Sequence, residues 1–282
     1  MNLRLLTPDD AAPLEEFLSS NRDSSMFLRA NSRRAGLDYQ GAPFQATYVA
    51  GFLEDEIVGV AAHCWNGMVL LQAPDRTAEL ARACVEGSGR RVTGLSGPLE
   101  QVRRARIALE LADTPAALEG EEGLYALDLA ELVIPEVLSS GSMVVRPPHP
   151  EERDLLYAWR AAYDIEVLGA TDSPEHRKRA ADFLDGQIAD GNAWVAIETG
   201  RPVSLSAFNA TLPDIVQLGG IYTPPAFRGR GFAKVAVGAS LVVARQRGAS
   251  RAVLFTNNPS AVRTYESLGF RHVGDYSLVL FR

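Results

Sequence analysis

The chain has 282 residues, of which 46% are hydrophobic and 22% are charged, and 28 basic against 35 acidic residues give a net charge of −7. This composition is that of an ordinary water-soluble globular protein, and the length suits two domains of about 140 residues. The acidic balance disfavours nucleic acid as a partner, because duplex binding needs clustered Lys and Arg, and it mildly favours cationic substrates such as amines.

The cysteines, the histidines and the lengths of the apolar segments argue against disulfide-rich, zinc-binding and membrane-spanning proteins. Cys64 and Cys84 form no C-x-x-C pair, which fits a reducing cytosol and small buried hydrophobic side chains. The four histidines are not spaced as zinc ligands, so we expect no metal site. The N-terminus lacks the apolar segment of a signal peptide, and no run approaches the ~20 apolar residues of a membrane span. We therefore expect a cytoplasmic protein.

The first predicted elements are a short apolar segment, Asn2–Leu6, and a helix that starts at Thr7–Asp10. Thr7 can cap this helix, a proline suits its first position, and acidic residues follow in its first turn. Met143–Arg146 and the following Pro147–Glu152 have the same plan. The pattern predicts a strand and an amphipathic helix at both places.

Two hairpins lie at matching positions farther along the chain. Tyr48–Glu54 and Ile57–Ala62 flank a turn in the first half, and Trp194–Glu198 and Val203–Phe208 flank one in the second. The matching order of elements indicates an internal duplication, with the boundary near Ser139–Ser142.

The duplication predicts two tandem domains, residues 1–140 and 141–282. The two halves differ after the fourth strand of the predicted order. In the first half, Met68–Pro74 leads into Asp75–Leu80, which has no glycine loop and no arginine pair. An aspartate at such a strand–helix junction repels phosphate, so only the second half is expected to bind an anion there.

Within the second half, the patterns predict four helices, at about Glu151–Leu168, Pro174–Ala189, Gly231–Arg247 and Ser260–Leu268. They also predict strands near Trp194–Thr199, Val203–Ala210, Ile215–Tyr222, Ala252–Thr256 and Tyr276–Phe281.

A glycine-rich loop joins the apolar run Ile215–Tyr222 to the helix that follows. At such a junction several backbone N–H groups have no partner within the helix, and the positive end of the helix dipole adds to their attraction for an anion. Gly229 and Gly231 let the main chain approach a bulky ligand, and Arg228 and Arg230 carry charge suited to phosphate. The loop therefore predicts binding of phosphate or pyrophosphate.

The residues of this loop distinguish between known phosphate motifs. A dinucleotide fingerprint needs a third glycine at Lys234, and a P-loop pattern is absent. Arg228–Ala233 reads Arg-x-x-Gly-x-Ala instead. Taken alone, these six residues fit an Arg- and Gly-rich surface turn equally well.

A second pattern follows the next predicted strand: Asn258, then Ala261, Tyr265 and Gly269-Phe270. The two patterns, in this order, resemble the acyl-CoA loop and the following segment of the GNAT superfamily of N-acetyltransferases. The strong part of the resemblance covers about residues 214–275. It implies an α/β (α+β) fold of two tandem GNAT-like domains, each with a mixed, mostly antiparallel central sheet flanked by helices. The first domain is then a degenerate copy without the CoA loop.

The resemblance implies an N-acetyltransferase that moves an acetyl group from acetyl-CoA to a primary amine by direct attack in a ternary complex, without a metal. The residues that the resemblance implies for binding of the co-substrate are Ile221, Tyr222, Thr223, Arg228, Gly229, Arg230, Gly231, Phe232, Ala233, Asn258 and Ala261. In this family a backbone amide of the strand before the loop, here around Tyr222, stabilises the oxyanion. Tyr265 would protonate the leaving thiolate.

The base that takes the proton from the amine is an open question. Gln217 stands where some family members carry a glutamate, and an amide cannot accept the proton. Asp214 lies at the start of that strand. Glu166, at the end of the first helix of the second half, is the other candidate. It is either a carboxylate that holds a cationic amine or a solvated acid at a helix end.

The acceptor is equally open, because a protein N-terminus, a lysine, an aminoglycoside, an amino acid and a polyamine all fit the fold. The expected partner is a small-molecule or peptide amine, with neither nucleic acid nor membrane. A second hypothesis is a non-catalytic acyl-CoA sensor or interaction module, since one half lacks the loop and no base is evident.

Overall fold

The computed structural model describes residues 2–282 and divides the chain into two units. The first unit runs to Leu124 and includes Gly274–Arg282, and the second is Tyr125–Val273.

The first half of the chain contains, in order, β1 (Asn2–Leu5), α1 (Ala11–Ser20), α2 (Met26–Ala35), β2 (Ala46–Leu53), β3 (Glu56–Cys64), β4 (Met68–Gln72), α3 (Thr77–Ser88), β5 (Gly94–Pro98), α4 (Leu99–Ala108) and β6 (Ala116–Asp128). A short helix, α5 (Glu136–Ser139), follows. The second half contains β7 (Val144–Arg146), α6 (Arg153–Leu168), α7 (Pro174–Ala189), β8 (Ala193–Glu198), β9 (Arg201–Thr211), β10 (Ile215–Leu218), α8 (Phe232–Gln246), β11 (Arg251–Thr256), α9 (Pro259–Glu266) and β12 (Arg271–Phe281). From β1 and from β7, the order of strands and helices is the same, which supports the predicted duplication.

The same ion pair lies at the start of each half. Arg4 contacts Asp10 through two N–O distances of 2.7 and 2.6 Å, and Arg146 contacts Glu152 through distances of 2.8 and 2.7 Å. In both halves a backbone N–H three residues before the carboxylate also donates to it, at 2.8 and 2.7 Å. The bidentate contact fixes the angle between the first strand and the first helix, and the backbone bond caps that helix.

Each unit contains a mixed sheet. In the first, the strand order is β1-β2-β3-β4-β5-β12-β6, with β4 and β5 parallel and the pairs from β1 to β4 antiparallel. In the second, the order is β6-β11-β10-β9-β8-β7, with β10 and β11 parallel and the pairs from β10 to β7 antiparallel. The predicted α/β fold with mixed, mostly antiparallel sheets is confirmed.

Helices cover both faces of the sheet in the second unit. Trp194 and Phe208 point to α8, where they join a buried cluster with Val237. Their neighbours Val195 and Ala207 point to the opposite face, which α6 and α7 cover. This alternation is the period of two that strands impose on side chains.

The division into units differs from the expected boundary near Ser139–Ser142. Leu127, Leu129 and Leu132 lie before that boundary, yet they pack in the core of the second unit with Leu268. Strand β12, at the end of the second half, pairs with β5 of the first unit. The boundary between the two repeats therefore differs from the boundary between the two units, because the last strand of each half contributes residues to the other unit. That each half is a GNAT-like copy stays a prediction.

The ion pair at the start of the first half makes stability depend on pH. Hydrogen bonds from Arg4 hold the pKa of Asp10 well below its usual range. A lowered pKa contributes stability above the unfolded value of about 4, and this contribution is lost as the pH falls below it. We expect Asp10→Asn to lower the free energy of unfolding by about 1 kcal/mol at pH 7, and the difference from the wild type to shrink at pH 3.

Urea unfolding at both pH values measures this effect. Asp9→Asn is the matched control, because Asp9 is exposed and the substitution makes the same charge change one residue away. Its effect should stay within about 0.5 kcal/mol. Equal losses for the two variants, or a loss at Asp10 that does not depend on pH, would contradict the assignment.

Candidate active site

The glycine loop between β10 and α8 lies at the surface of the second unit. Gly231 is the N-cap residue of α8 with φ of 81°, and Gly229 has φ of 75°. A Cβ added at either glycine meets no atom within 4 Å. The left-handed backbone explains why glycine stands at these two positions, and the open space shows that the outer face of the loop is uncovered.

The start of α8 carries backbone amides without partners. Within the described part of the chain, no acceptor bonds to the N–H groups of residues 229–234, and the first amide to be paired is that of Val235, which donates to Gly231 O at 3.2 Å. No side chain caps this helix. The loop therefore has the exposed, electropositive end of a helix that the sequence predicts for an anion.

Both arginines of the loop are paired with carboxylates. Arg228 Nη2 lies 2.6 Å from Glu166 Oε2, and Arg230 Nη2 lies 2.6 Å from Glu198 Oε1. The four side chains are 31% to 50% exposed. Ion pairs of this exposure contribute only about 0–1 kcal/mol, so a phosphate group can displace either carboxylate easily.

Glu166 is held by two donors rather than free. Its Oε2 accepts from Arg228, and its Oε1 accepts from the Tyr222 hydroxyl at 3.0 Å. The two expectations for Glu166, an amine-holding carboxylate or a solvated acid, stay predictions, because neither included these two donors. The side chain instead ties the end of α6 to the glycine loop.

Strand β10 ends at Leu218, four residues earlier than expected. Gly220 has φ of 70°, and the amide group of Asn209 fills the place that a Cβ on Gly219 would take. The chain rejoins β9 only at Tyr222, whose N–H and C=O bond to Leu205 at 3.0 and 2.8 Å. Two glycines thus bend the strand away from its regular pairing.

The bend leaves amides unpaired beside β11. Pairing of β10 with β11 ends at Gln217, opposite Val253. Among the described residues, none accepts from the N–H groups of Ile221 and Thr223. The oxyanion donor expected around Tyr222 stays a prediction, and the amide of Tyr222 itself is bonded to Leu205. The free donors are those on either side of it.

Asn258 caps α9. Its Oδ1 accepts from the N–H groups of Ser260 and Ala261, at 2.9 and 3.3 Å. This contact fixes the start of α9, and the co-substrate contact expected of Asn258 stays a prediction for its Nδ2 group. Ala261 packs against the core of the second unit.

Tyr265 lies in the same core, with 7% of its surface exposed and its ring 5.8 Å from that of Phe270. Burial raises the pKa of its phenol well above the ordinary value, and the nearby Tyr163 raises it further. A phenol held this way keeps its proton at working pH, as a proton donor must. A purely structural core tyrosine fits the same packing.

A buried polar cluster under β10 is a feature that the sequence patterns did not reveal. Arg160, Asp164 and His176 are 8%, 9% and 5% exposed. Arg160 Nη2 lies 2.8 Å from Asp164 Oδ1, and His176 Nε2 lies 3.4 Å from Asp164 Oδ2. The sequence contains one indication of this cluster, because Arg160 and Asp164 are one helical turn apart. They lie on the helix face that also carries the buried Leu156.

The two cysteines are buried free thiols, and burial raises the pKa of each to about 12. Within residues 2–282, no three His, Cys, Asp or Glu side chains are grouped to hold a metal ion. None of the helices in this range is both long and apolar enough to cross a membrane.

Part of this chain is similar to known acetyltransferases. The model of the acetyltransferase (GNAT) family matches residues 154–270. The match covers less than half of the chain, and we refer to these residues below as the GNAT domain. A stretch of 54 residues is 41% identical to an acetyltransferase of Agrobacterium fabrum, and it spans 19% of this chain and 39% of that protein.

Solved structures share the fold at low sequence identity. A Drosophila protein matches over 99% of this chain and 98% of its own, with a TM-score of 0.68 and 12% identity. A GCN5-related N-acetyltransferase from Sphaerobacter thermophilus matches over 99% and 94%, with a TM-score of 0.59 and 15% identity. One from Kribbella flavida matches over 92% and 94%, with a TM-score of 0.59 and 18% identity. The fold similarity therefore extends beyond the GNAT domain to nearly the whole chain.

Proposed function

We propose that the GNAT domain moves an acetyl group from acetyl-CoA to a primary amine by direct attack within a ternary complex. One observation carries this proposal: the uncovered loop before α8, with unpaired amides over residues 229–234 and two exposed arginines. These residues fit a pyrophosphate, which needs N–H donors, positive charge and a surface without Cβ atoms.

When bound, the co-substrate supplies an acetyl thioester: the amine nitrogen forms the new N–C bond, the C–S bond breaks, and sulfur leaves as a thiolate. The amides of Ile221 and Thr223 are the donors we assign to the negative charge that develops on the carbonyl oxygen. They are suited to this because the chain gives them no acceptor and β11 is no longer paired beside them.

Two proton transfers complete the reaction. We assign to Tyr265 the proton that the thiolate takes up, since burial keeps this phenol protonated. We assign to Glu166 the proton that the amine loses. A carboxylate bound by Arg228 is a poor acceptor, so this role requires Arg228 to exchange Glu166 for a phosphate.

A non-catalytic acyl-CoA sensor is the second candidate. It is favoured by two side chains at the expected positions of the base: Gln217 is an amide, and Glu166 is bound by two donors. A panel of amine acceptors with detection of free thiol separates the two functions. Binding of acetyl-CoA without release of CoA on any acceptor would favour the sensor.

The co-substrate site is tested by Gly231→Asp. The substitution places a carboxylate at the positive end of α8 and strains a left-handed residue, so we expect the Kd for acetyl-CoA to rise more than tenfold. Isothermal calorimetry measures it. Gly186→Asp is the matched control: it makes the same charge change at an open position within α7, and its Kd should equal that of the wild type. Equal binding by all three proteins would refute the site.

The role of Tyr265 is tested by Tyr265→Phe, which removes only the hydroxyl. We expect kcat to fall by about 10²-fold, the range of a lost proton donor, with the Kd for acetyl-CoA unchanged. Tyr276→Phe is the control, because Tyr276 is also buried but belongs to the first unit. Wild-type turnover in Tyr265→Phe would leave Tyr265 as a core residue.

A further inference from the structure

Several buried polar groups under β10 have no hydrogen-bond partner. Among the buried side chains of the described residues, these include Arg160 Nε and Nη1, Asp164 Oδ1, His176 Nδ1, Gln187 Oε1 and Gln217 Oε1. Leaving such a group unsatisfied costs about 1–3 kcal/mol, and more when it is charged. Most buried polar groups in folded proteins are satisfied, so a set of unsatisfied ones at one place points to a missing partner.

These groups lie near the end of β10 and the facing residues of β9. The guanidinium of Arg160 reaches the bend in the strand, where its Nη1 is 2.7 Å from the position of a Cβ on Gly220. Gln187 donates to the carbonyl of Phe208 at 3.0 Å and lies 3.4 Å from Asn209 Oδ1. Asn209 in turn fills the space over Gly219, next to the bend. Gln217 is two residues earlier on the same strand.

Arg160 is held in place from several sides. Its Nη2 forms an ion pair with Asp164 Oδ1 at 2.8 Å, and His176 Nε2 lies 3.4 Å from Asp164 Oδ2. The rings of Tyr163 and Phe183 lie 5.1 and 4.5 Å from its guanidinium carbon. The guanidinium is thus fixed at one end, while Nη1 remains a free donor at the bend of β10.

The two kinds of unsatisfied group call for two kinds of partner. The N–H groups of Arg160 call for an anionic oxygen, and the carbonyl oxygens of Gln187 and Gln217 call for N–H donors. A compound with both an amine and a carboxylate provides both. A polyamine has only cationic groups at neutral pH and offers no acceptor to Nη1 of Arg160, whereas an aminoglycoside offers hydroxyl and ether oxygens but no carboxylate.

We propose that the acceptor of the GNAT domain is an amine that carries a carboxylate, as in an amino acid, and that Arg160 binds the carboxylate. The proposal rests on the proposed acetyl transfer and narrows its substrate class. Arg160 is then a specificity-determining residue, and Asp164 and His176 are positioning residues that act through it.

The experiment compares L-amino acids with their C-terminal amides, which lack the carboxylate and keep the amine. For the best amino acid, we expect kcat/KM to be about 100-fold higher than for its amide, as for loss of one buried charge contact. Arg160→Gln should raise the KM for the amino acid by a similar factor and erase the preference. Arg160→Lys should restore part of it, because the positive charge returns.

Two controls accompany these variants. Arg153→Gln removes an exposed arginine of the same helix, which pairs with Asp185, and it should leave the preference unchanged. Calorimetry of acetyl-CoA binding and of amino acid binding in the presence of CoA shows whether each variant is folded and gives a readout that does not depend on turnover.

The outcomes separate the two proposals. If the wild type binds no acetyl-CoA, the proposed function fails. If it binds acetyl-CoA but acetylates amides as well as amino acids, or no amino acid at all, the acceptor class is wrong and the co-substrate site stands. If Arg160→Gln lowers kcat at an unchanged KM, Arg160 acts on the reacting carbonyl, and the carboxylate assignment is overturned.

Discussion

The site depends on one constraint: the first turn of α8 must stay uncovered, so that its amides keep their capacity to bind an anion. Gly231 meets this constraint with a left-handed backbone and no side chain. The first half makes the same left-handed turn before α3 with Arg76, whose φ is 55°. There a side chain stands at the N-cap and Asp75 precedes it, so the same backbone geometry no longer offers an open anion site.

Helix α6 links the other parts of the site to this loop. At its end, Glu166 binds Arg228 and the Tyr222 hydroxyl, and in its middle Arg160 reaches the bend of β10 at Gly220. A phosphate that takes Arg228 removes one of the two donors from Glu166. In the proposed function, binding of the co-substrate therefore removes one hydrogen bond from the Glu166 carboxylate. Glu166 lies on the same helix as Arg160, the residue proposed to bind the acceptor.

The sequence predicted the features that depend on neighbours in the chain. The helical start at Thr7 and the glycine-bounded start of α8 follow from local patterns. The structure has a 3-10 turn, Pro8–Asp10, that leads into α1, and it has Gly231 at the start of α8. It did not predict that β12 pairs with β5, because strand partners far apart in the chain leave no local signal. The partner of Glu166 is 62 residues away, and the unsatisfied groups of Arg160 are visible only in three dimensions.

The most direct test of the central claim is an NMR titration of the backbone amides with two ligands, CoA and pantetheine, which lacks the phosphates. If the amides before α8 bind the pyrophosphate, CoA shifts the signals of residues 229–234 and pantetheine leaves them in place. If CoA leaves those six signals unmoved, or if both ligands shift them alike, the anion site does not lie at this loop.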